Sequence, residues 1–441
     1  MDGDSVVVAG AGLAGLVAAR HLAEAGADVT VFERRPDVGG RVRTQERDGF
    51  TFDRGFQVLF TGYPAVRREL DLSALDMRYF SPGAVVARPG QRSTLSDPIR
   101  DPRAAVASLL NREVTTTDKL RTLALRQHVG SMDEAEIFDS ADDSIRDYLR
   151  EWGFSEGYVE NFVAPFYGGI TLDRSLSTSK RVFEYTFKML SEGEIGVPAD
   201  GMGAIPEQLA AAAREAGAEI VTETGVEQVV DATETDVDDG AGAATGRATG
   251  GVTVTAGGET VDADAALVAT DPKEARRLTG VDLIPTEARS SVTQYYRLPK
   301  GAKLGTRRKI LLNAGDDAPN TVVPMSEVAP EYAPDDAELL NATFLGASAL
   351  DRDASELATR TKATLASWYP DRSFADLEPL HTDRIEFAQF AQPPGVHDAL
   401  PDYRAPGGRT YLAGDYTAWS SIQGAMRSGR EAAAAILSDA E

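Results

Sequence analysis

Three glycines and one carboxylate near the start of the chain have the spacing of a phosphate and ribose site. Gly10-Ala-Gly12-Leu13-Ala14-Gly15 is G-x-G-x-x-G, and Glu33 follows 18 residues after Gly15. Gly10 allows a tight turn, Gly12 lets a pyrophosphate approach the backbone, and Gly15 lets a helix pack closely on a strand. Leu13 and Ala14 head a helix whose N-terminal N–H groups and positive dipole end suit phosphate oxygens. Glu33 is placed to accept hydrogen bonds from ribose hydroxyls. A carboxylate there repels a 2′-phosphate and so disfavours NADP. A glycine-rich structural turn would account for the loop but not for Glu33. Immediately after come Arg34, then Gly39-Gly40-Arg41-Val-Arg43-Thr44. The paired glycines permit close backbone approach, and Arg41 and Arg43 can neutralise phosphate.

Those residues need a strand, a turn, a helix and a second strand to hold them. Val6 to Ala9 is an apolar run, Leu16, Ala19, Leu22 and Ala23 share a helix face, and Gly26 stops that helix. Val29, Val31 and Phe32 then form the strand that ends on Glu33. Further along lie Phe52-Asp53-Arg54-Gly55-Phe56-Gln57, Thr224-Gly225-Val226-Glu227, and Gly414-Asp415 followed by Ile422-Gln423-Gly424-Ala425. In the last of these a strand ends in Gly-Asp ahead of another helix N-terminus.

Taken in order, G-x-G-x-x-G, Glu, G-G-R-x-x-T and F-D-R-G-x-Q resemble the flavoprotein superfamily of amine oxidases, protoporphyrinogen oxidases and phytoene desaturases. The resemblance implies FAD as cofactor. It puts Gly39, Gly40 and Arg41 on the pyrophosphate, and Arg54, Gly55, Phe56 and Gln57 near the isoalloxazine. It puts Val226 at the adenine and Asp415 at the ribityl chain. The N–H groups near Gln423 to Ala425, headed by Ile422, would face flavin N1 and O2, where negative charge grows on reduction. The implied fold class is α/β: a Rossmann-type FAD-binding domain with an inserted α+β substrate domain. The expected division is 1–65, 196–271 and 381–441 for the FAD domain, and 66–195 with 272–380 for the substrate domain.

A chain of 441 residues fits two domains. Its 69 acidic and 45 basic residues leave a net charge of −24, and only eight of the basic residues are lysine. Such a surface suits a cytoplasm at very high salt, where screening removes self-repulsion, and it argues against a nucleic acid partner. The absence of cysteine removes disulfides, thiol nucleophiles and iron–sulfur clusters. His21, His128, His381 and His397 are scattered without ligand spacing, so no metal is expected. The first apolar run has an acidic leader and internal glycines, so a signal peptide is not expected. No apolar run of about 20 residues exists, so none is expected to span a bilayer. Gly240-Ala-Gly242 lies in a Gly/Ala/Thr/Asp-rich stretch, 231–251, read as a solvated loop, with no strand before it and no periodic helix after it.

The substrate region is less explicit. Asn161 to Ile170, with Pro165, Phe166, Tyr167, Gly168 and Gly169, reads as an aromatic turn and resembles the P-F-x-G-G stretch of the desaturase and protoporphyrinogen oxidase relatives. Phe166, Tyr167, Phe187, Tyr296 and Trp419 are the expected cavity-lining residues. No second G-x-G-x-x-G exists, so the flavin would be reduced by an organic substrate directly, with oxygen or a quinone as electron acceptor. The sequence forces no catalytic acid–base pair. Three readings stay open. The first is a dehydrogenase or desaturase of an isoprenoid, carotenoid or tetrapyrrole, with peripheral membrane contact left open by so apolar a substrate. The second is a flavin amine oxidase, against which the strand Ser291 to Tyr296 offers no lysine. The third is an FAD-binding or redox-sensing protein without turnover.

Overall fold

The computed structural model describes residues 3–95, 115–231, 251–316 and 318–440. Five parallel strands form the sheet that carries the first motif. Their order is Glu219–Val221, Asp28–Phe32, Ser5–Ala9, Ala265–Val268 and Thr410–Leu412. These strands are short and almost wholly apolar, as parallel strands covered on both faces must be. Their side chains alternate between two layers. Val6, Val8, Ala265 and Leu267 join a core with the helices Leu13–Glu24, Ala204–Glu215 and Ile422–Asp439. Val7, Ala9, Ala266 and Val268 pack on the other side against the antiparallel strands Val226–Asp231, Val252–Ala256 and Glu259–Ala263.

The second sheet has seven strands, in the order Glu378–Phe390, Ala288–Pro299, Ala337–Leu345, Thr321–Val323, Ile310–Asn313, Ala84–Arg88 and Gln91–Leu95. One face packs on the helix Ala354–Trp368 through Tyr296, Leu340, Leu357, Leu365 and Trp368. Helices from Thr116 to Glu192 complete this half of the molecule.

Three sequence expectations need correction here. Residues 381–390, expected in the FAD domain, do not join the first sheet. They end the strand Glu378–Phe390, which pairs with Ala288–Pro299, so residues 381–390 sit with the seven-stranded sheet. Residues 161–170 are helical instead of a turn: a π-helical stretch Val159–Val163 runs into the α-helix Ala164–Thr171. The wider π turn just ahead of Pro165 lets a residue without an N–H enter the helix, and Leu172 at φ 53° ends it. Tyr296 points away from the expected cavity. Side chains alternate along a strand, so Tyr295 joins the core beneath the cavity while Tyr296 bonds Gln294 and Thr361 on the far face. The expected loop and its Gly240-Ala-Gly242 fall largely on 232–250, outside the described residues.

Candidate cofactor and substrate site

Gly10 takes φ +104°, where a side chain would be strained, and its N–H closes on Phe32 O at 2.8 Å. A Cβ on Gly15 would lie 2.0 Å from Gly10 O, so only glycine lets this helix start so close to the turn. A Cβ on Gly12 would meet nothing within 4 Å. That open space borders the head of the helix Leu13–Glu24, which has no side-chain cap and no acidic residue in its first turn. Its leading N–H groups therefore face the site with no competing acceptor in the helix.

Glu33 closes the far side of the turn. Its Oε2 accepts from Ala11 N–H and its Oε1 from Arg35 N–H, both at 3.0 Å, and the residue is buried. Thr224 N–H reaches Glu33 O at 2.8 Å, which sets Val226 beside the same end of the site. Across from it, Arg41 donates to Asp415 Oδ1 at 2.6 Å. Burial alone would lower the Arg41 pKa; the Asp415 charge more than offsets that, and the guanidinium lies above its ordinary value. Ser420 Oγ donates to Asp415 Oδ2 at 2.7 Å. Arg35 holds Gly40 O at 3.0 Å. Arg54 and Arg43 are pushed down by burial and by neighbouring arginines, and Arg43 Nε is buried without a partner. That orphaned donor is one that a bound anion would satisfy.

One continuous cavity of about 1170 Å³ joins this cradle to an apolar chamber. Of the expected cofactor residues, Gly10, Gly12, Leu13, Ala14, Glu33, Arg34, Gly39, Gly40, Arg41, Arg54, Gly55, Phe56, Gln57, Val226, Gly414, Asp415, Ile422 and Ala425 line it. Gly15, Gln423 and Gly424 support the wall from behind. Gln423 Oε1 accepts from Ala65 N–H at 2.8 Å. Ser421 caps the second helix by taking Gly424 N–H on its Oγ and Ala425 N–H on its carbonyl. The expected donors at Gly424 and Ala425 are thus spent inside the helix, which leaves Ile422 and Gln423 N–H at its head. A flavin dinucleotide fits this donor set: a helix N-terminus and arginines for phosphate, Glu33 for ribose, and an acid–arginine pair between.

Phe166, Tyr167, Phe187 and Trp419 line the chamber end. Tyr158, Phe162 and Phe166 recur at helical spacing with successive ring centroids 5.6 Å apart. Phe183 and Phe187 face inward from the helix Lys180–Glu192, and Tyr167 lies 4.5 Å from Phe183. The sequence reading missed Tyr158 and Phe80 in this wall. The 158/162/166 spacing is the available signal, and Pro165 with two glycines obscures it by arguing for a turn. It also missed Gln392, whose Oε1 takes Ser420 N–H at 2.9 Å and meets His397 Nε2 at 3.3 Å. Trp419 is braced by Tyr63, Phe138 and Tyr185 at interplanar angles of 72°, 35° and 75°, none parallel to it.

Comparison with known proteins gives a family match and similar folds. The family model for flavin containing amine oxidoreductases matches residues 13–437. Carotenoid 3,4-desaturase of Haloarcula japonica is 26% identical over 52% of this chain and 51% of its own length. The 15-cis-phytoene desaturase of Solanum lycopersicum is 24% identical over 99% of this chain and 78% of its own. Among solved structures, an oxidoreductase from Methanosarcina mazei superposes with a TM-score of 0.72 at 19% identity, over 97% of this chain and 99% of that one. Putrescine oxidase bound to putrescine gives 0.69 at 20% identity, over 99% of each chain.

Proposed function

This chain belongs to the flavin containing amine oxidoreductase family and is an FAD-dependent oxidoreductase, and from that premise we propose that it dehydrogenates or desaturates an apolar organic substrate of isoprenoid, carotenoid or tetrapyrrole type. The carrying observation is the single cavity that runs from the arginine-lined cradle into an aromatic chamber. FAD, when bound, would supply a hydride acceptor at flavin N5, with oxygen or a quinone as the final electron acceptor.

The chain's own residues bind, orient and exclude water. The N–H groups of Leu13 and Ala14 with Arg41 would hold the pyrophosphate, Glu33 would hold the ribose, and Asp415, itself fixed by Arg41 and Ser420, would hold the ribityl side. Gly55, Phe56 and Gln57 line the cavity between cradle and chamber and would border the reacting face; Gln57 Nε2 is tied to Arg41 O at 3.1 Å. The rings of Tyr158, Phe162, Phe166, Phe183 and Phe187 offer an apolar surface against which an extended apolar molecule can lie. Removal of two hydrogens also releases a proton: once a hydride has left an activated carbon, the neighbouring C–H is acidic enough to give its proton to water, so no side chain is assigned as base. The strand Ala288–Pro299 carries no lysine, and Trp419 has no parallel ring among the described residues with which to bracket an amine.

The test is anaerobic mixing of the flavin-loaded protein with polyamines, tetrapyrroles and carotenoid precursors. Loss of visible flavin absorbance with the apolar compounds is expected. Bleaching by amines alone would overturn the substrate class, and bleaching by none would favour a non-catalytic role.

A further inference from the structure

Buried hydroxyls in this protein usually reach a partner. Tyr185, Tyr295, Tyr332 and Tyr416 donate to carboxylates or backbone carbonyls at 2.8–3.1 Å. Threonines in helices turn back on the carbonyl four residues earlier, as Thr122, Thr171, Thr279, Thr359 and Thr361 do at 2.7–3.0 Å. Tyr167 and Thr186 break both habits. They are 3% and 1% exposed, and the hydroxyl of each has no partner. Tyr148, the third such hydroxyl among the described residues, stands off the cavity wall beside Glu184. A buried hydroxyl left unpaired costs stability and asks for an explanation.

Both side chains line the apolar chamber. On the helix Lys180–Glu192, Thr186 is the polar member of the chamber stripe Val182, Phe183, Thr186, Phe187 and Leu190. Tyr167, on the helix Ala164–Thr171, packs its ring 4.5 Å from that of Phe183, one helical turn from Thr186. A helical threonine divides between two χ1 wells, so Oγ1 can swing toward the chamber that its side chain lines. Burial holds the Tyr167 phenol well above its ordinary pKa, which keeps it a neutral donor. Apolar pockets take their specificity from a few placed polar groups. Two uncharged hydroxyls match an uncharged oxygen, whereas a buried carboxylate asks for a cation.

We propose that Tyr167 and Thr186 recognise a hydroxyl or ketone oxygen on the substrate, so that this chamber takes an oxygenated apolar chain in preference to a bare hydrocarbon. This rests on the apolar-substrate reading and narrows it. The test is anaerobic titration of the FAD-loaded full chain with linear isoprenoid hydrocarbons and with their monohydroxy, monoketo and monocarboxylate derivatives of matched length. The half-saturating concentration is read from the change in flavin absorbance. The alcohol or ketone is expected to half-saturate at a concentration about twentyfold lower than the hydrocarbon. Tyr167→Phe and Thr186→Val should each shrink that ratio about fivefold, the net worth of one neutral hydrogen bond, and Thr186→Ser should keep it. Because neither hydroxyl serves the fold, the thermal midpoint of the FAD-loaded Phe and Val variants should not fall. A ratio near one in the wild type overturns the proposal, as does a ratio that both variants preserve. A lowered midpoint, tightest binding of the carboxylate, or no binding by any member overturns it too. Flavin bleaching by amines alone removes the underlying reading, whereas an isoprenoid bound without regard to its oxygen overturns only this inference.

Discussion

Glu33 has a carboxylate whose two oxygens are each held by one backbone N–H, so it is fixed in place with lone pairs left over for ribose hydroxyls. Glu33→Arg puts a buried cation among Arg34, Arg35 and the helix N-terminus. The lost hydrogen bond from a ribose hydroxyl to a charged acceptor is worth about 1.5–3 kcal/mol, a loss of affinity of roughly ten- to a hundredfold, and the uncompensated buried charge separately lowers stability. The ratio of flavin to protein absorbance after purification should collapse, whereas Glu33→Gln should retain part of it. Unchanged flavin in Glu33→Arg would place the ribose elsewhere. Asp53, one residue before the cavity wall, makes a different prediction. Burial pushes its pKa up from 3.8 to about 6, despite donors from Thr44, Met202 and Tyr332. A carboxyl raised in the folded state stabilises below its unfolded pKa and loses that contribution as pH rises through the folded value. Asp53 should therefore cost the fold roughly 3 kcal/mol across this window. Asp53→Asn still offers an oxygen to Thr44 and Met202 and never ionises. Its stability relative to wild type, from urea unfolding, should rise between pH 3.8 and about 6 and be flat above. A constant difference would mean that the carboxyl ionises without penalty.

Elements decide where those side chains end up, and the second helix N-terminus is the sharpest case. Ser421 caps Ile422–Asp439 by holding Gly424 N–H at 2.8 Å. Ser421→Ala should cost about 1 kcal/mol, the usual worth of such a cap, seen as a lower unfolding midpoint. Cap loss that left stability unchanged would show that packing against Leu13–Glu24 alone fixes this end. The fold class, and the meeting of most of the expected residues around one cavity, could be read from the sequence because they rest on local features. A glycine that a tight turn demands, an acid at a strand end, and an uncapped helix start each need only a few neighbouring residues. What could not be read depends on distant partners. Tyr295 and Tyr296 are equally aromatic, and only the helix Ala354–Trp368 on one face decides which of them is turned from the cavity. Pro165 with Gly168 and Gly169 argues locally for a turn, yet the preceding π stretch absorbs the proline and the helix runs on to Thr171. In Thr116–Gly130 the leucines divide between a buried face and an exposed one, so the periodicity looks weak until the neighbouring helices are in place.

On the scale of the whole molecule, a net charge of −24 sets two electrostatic terms against each other. Like charges spread over one surface repel and favour the expanded chain. Surface pairs such as Arg20–Glu24 and Arg404–Asp439 attract, but exposed pairs contribute only about 0–1 kcal/mol each. With 24 acids left over after every base is matched, repulsion should win at low salt. Raising the ionic strength from about 0.1 M to about 1 M shortens the screening length from roughly 10 Å to 3 Å. That silences distant repulsion while close pairs lose less. The thermal midpoint should therefore climb with added potassium chloride, most steeply in the sub-molar range. The partly buried Arg41–Asp415 pair, at 2.6 Å and with Asp415 almost wholly enclosed, is screened far less, so flavin should stay bound across the same titration wherever the protein is folded. Differential scanning calorimetry alongside flavin fluorescence separates the two effects. A midpoint that is flat or falls with salt would mean that the attractive pairs dominate, and that the acidic surface is not an adaptation to a high-salt interior.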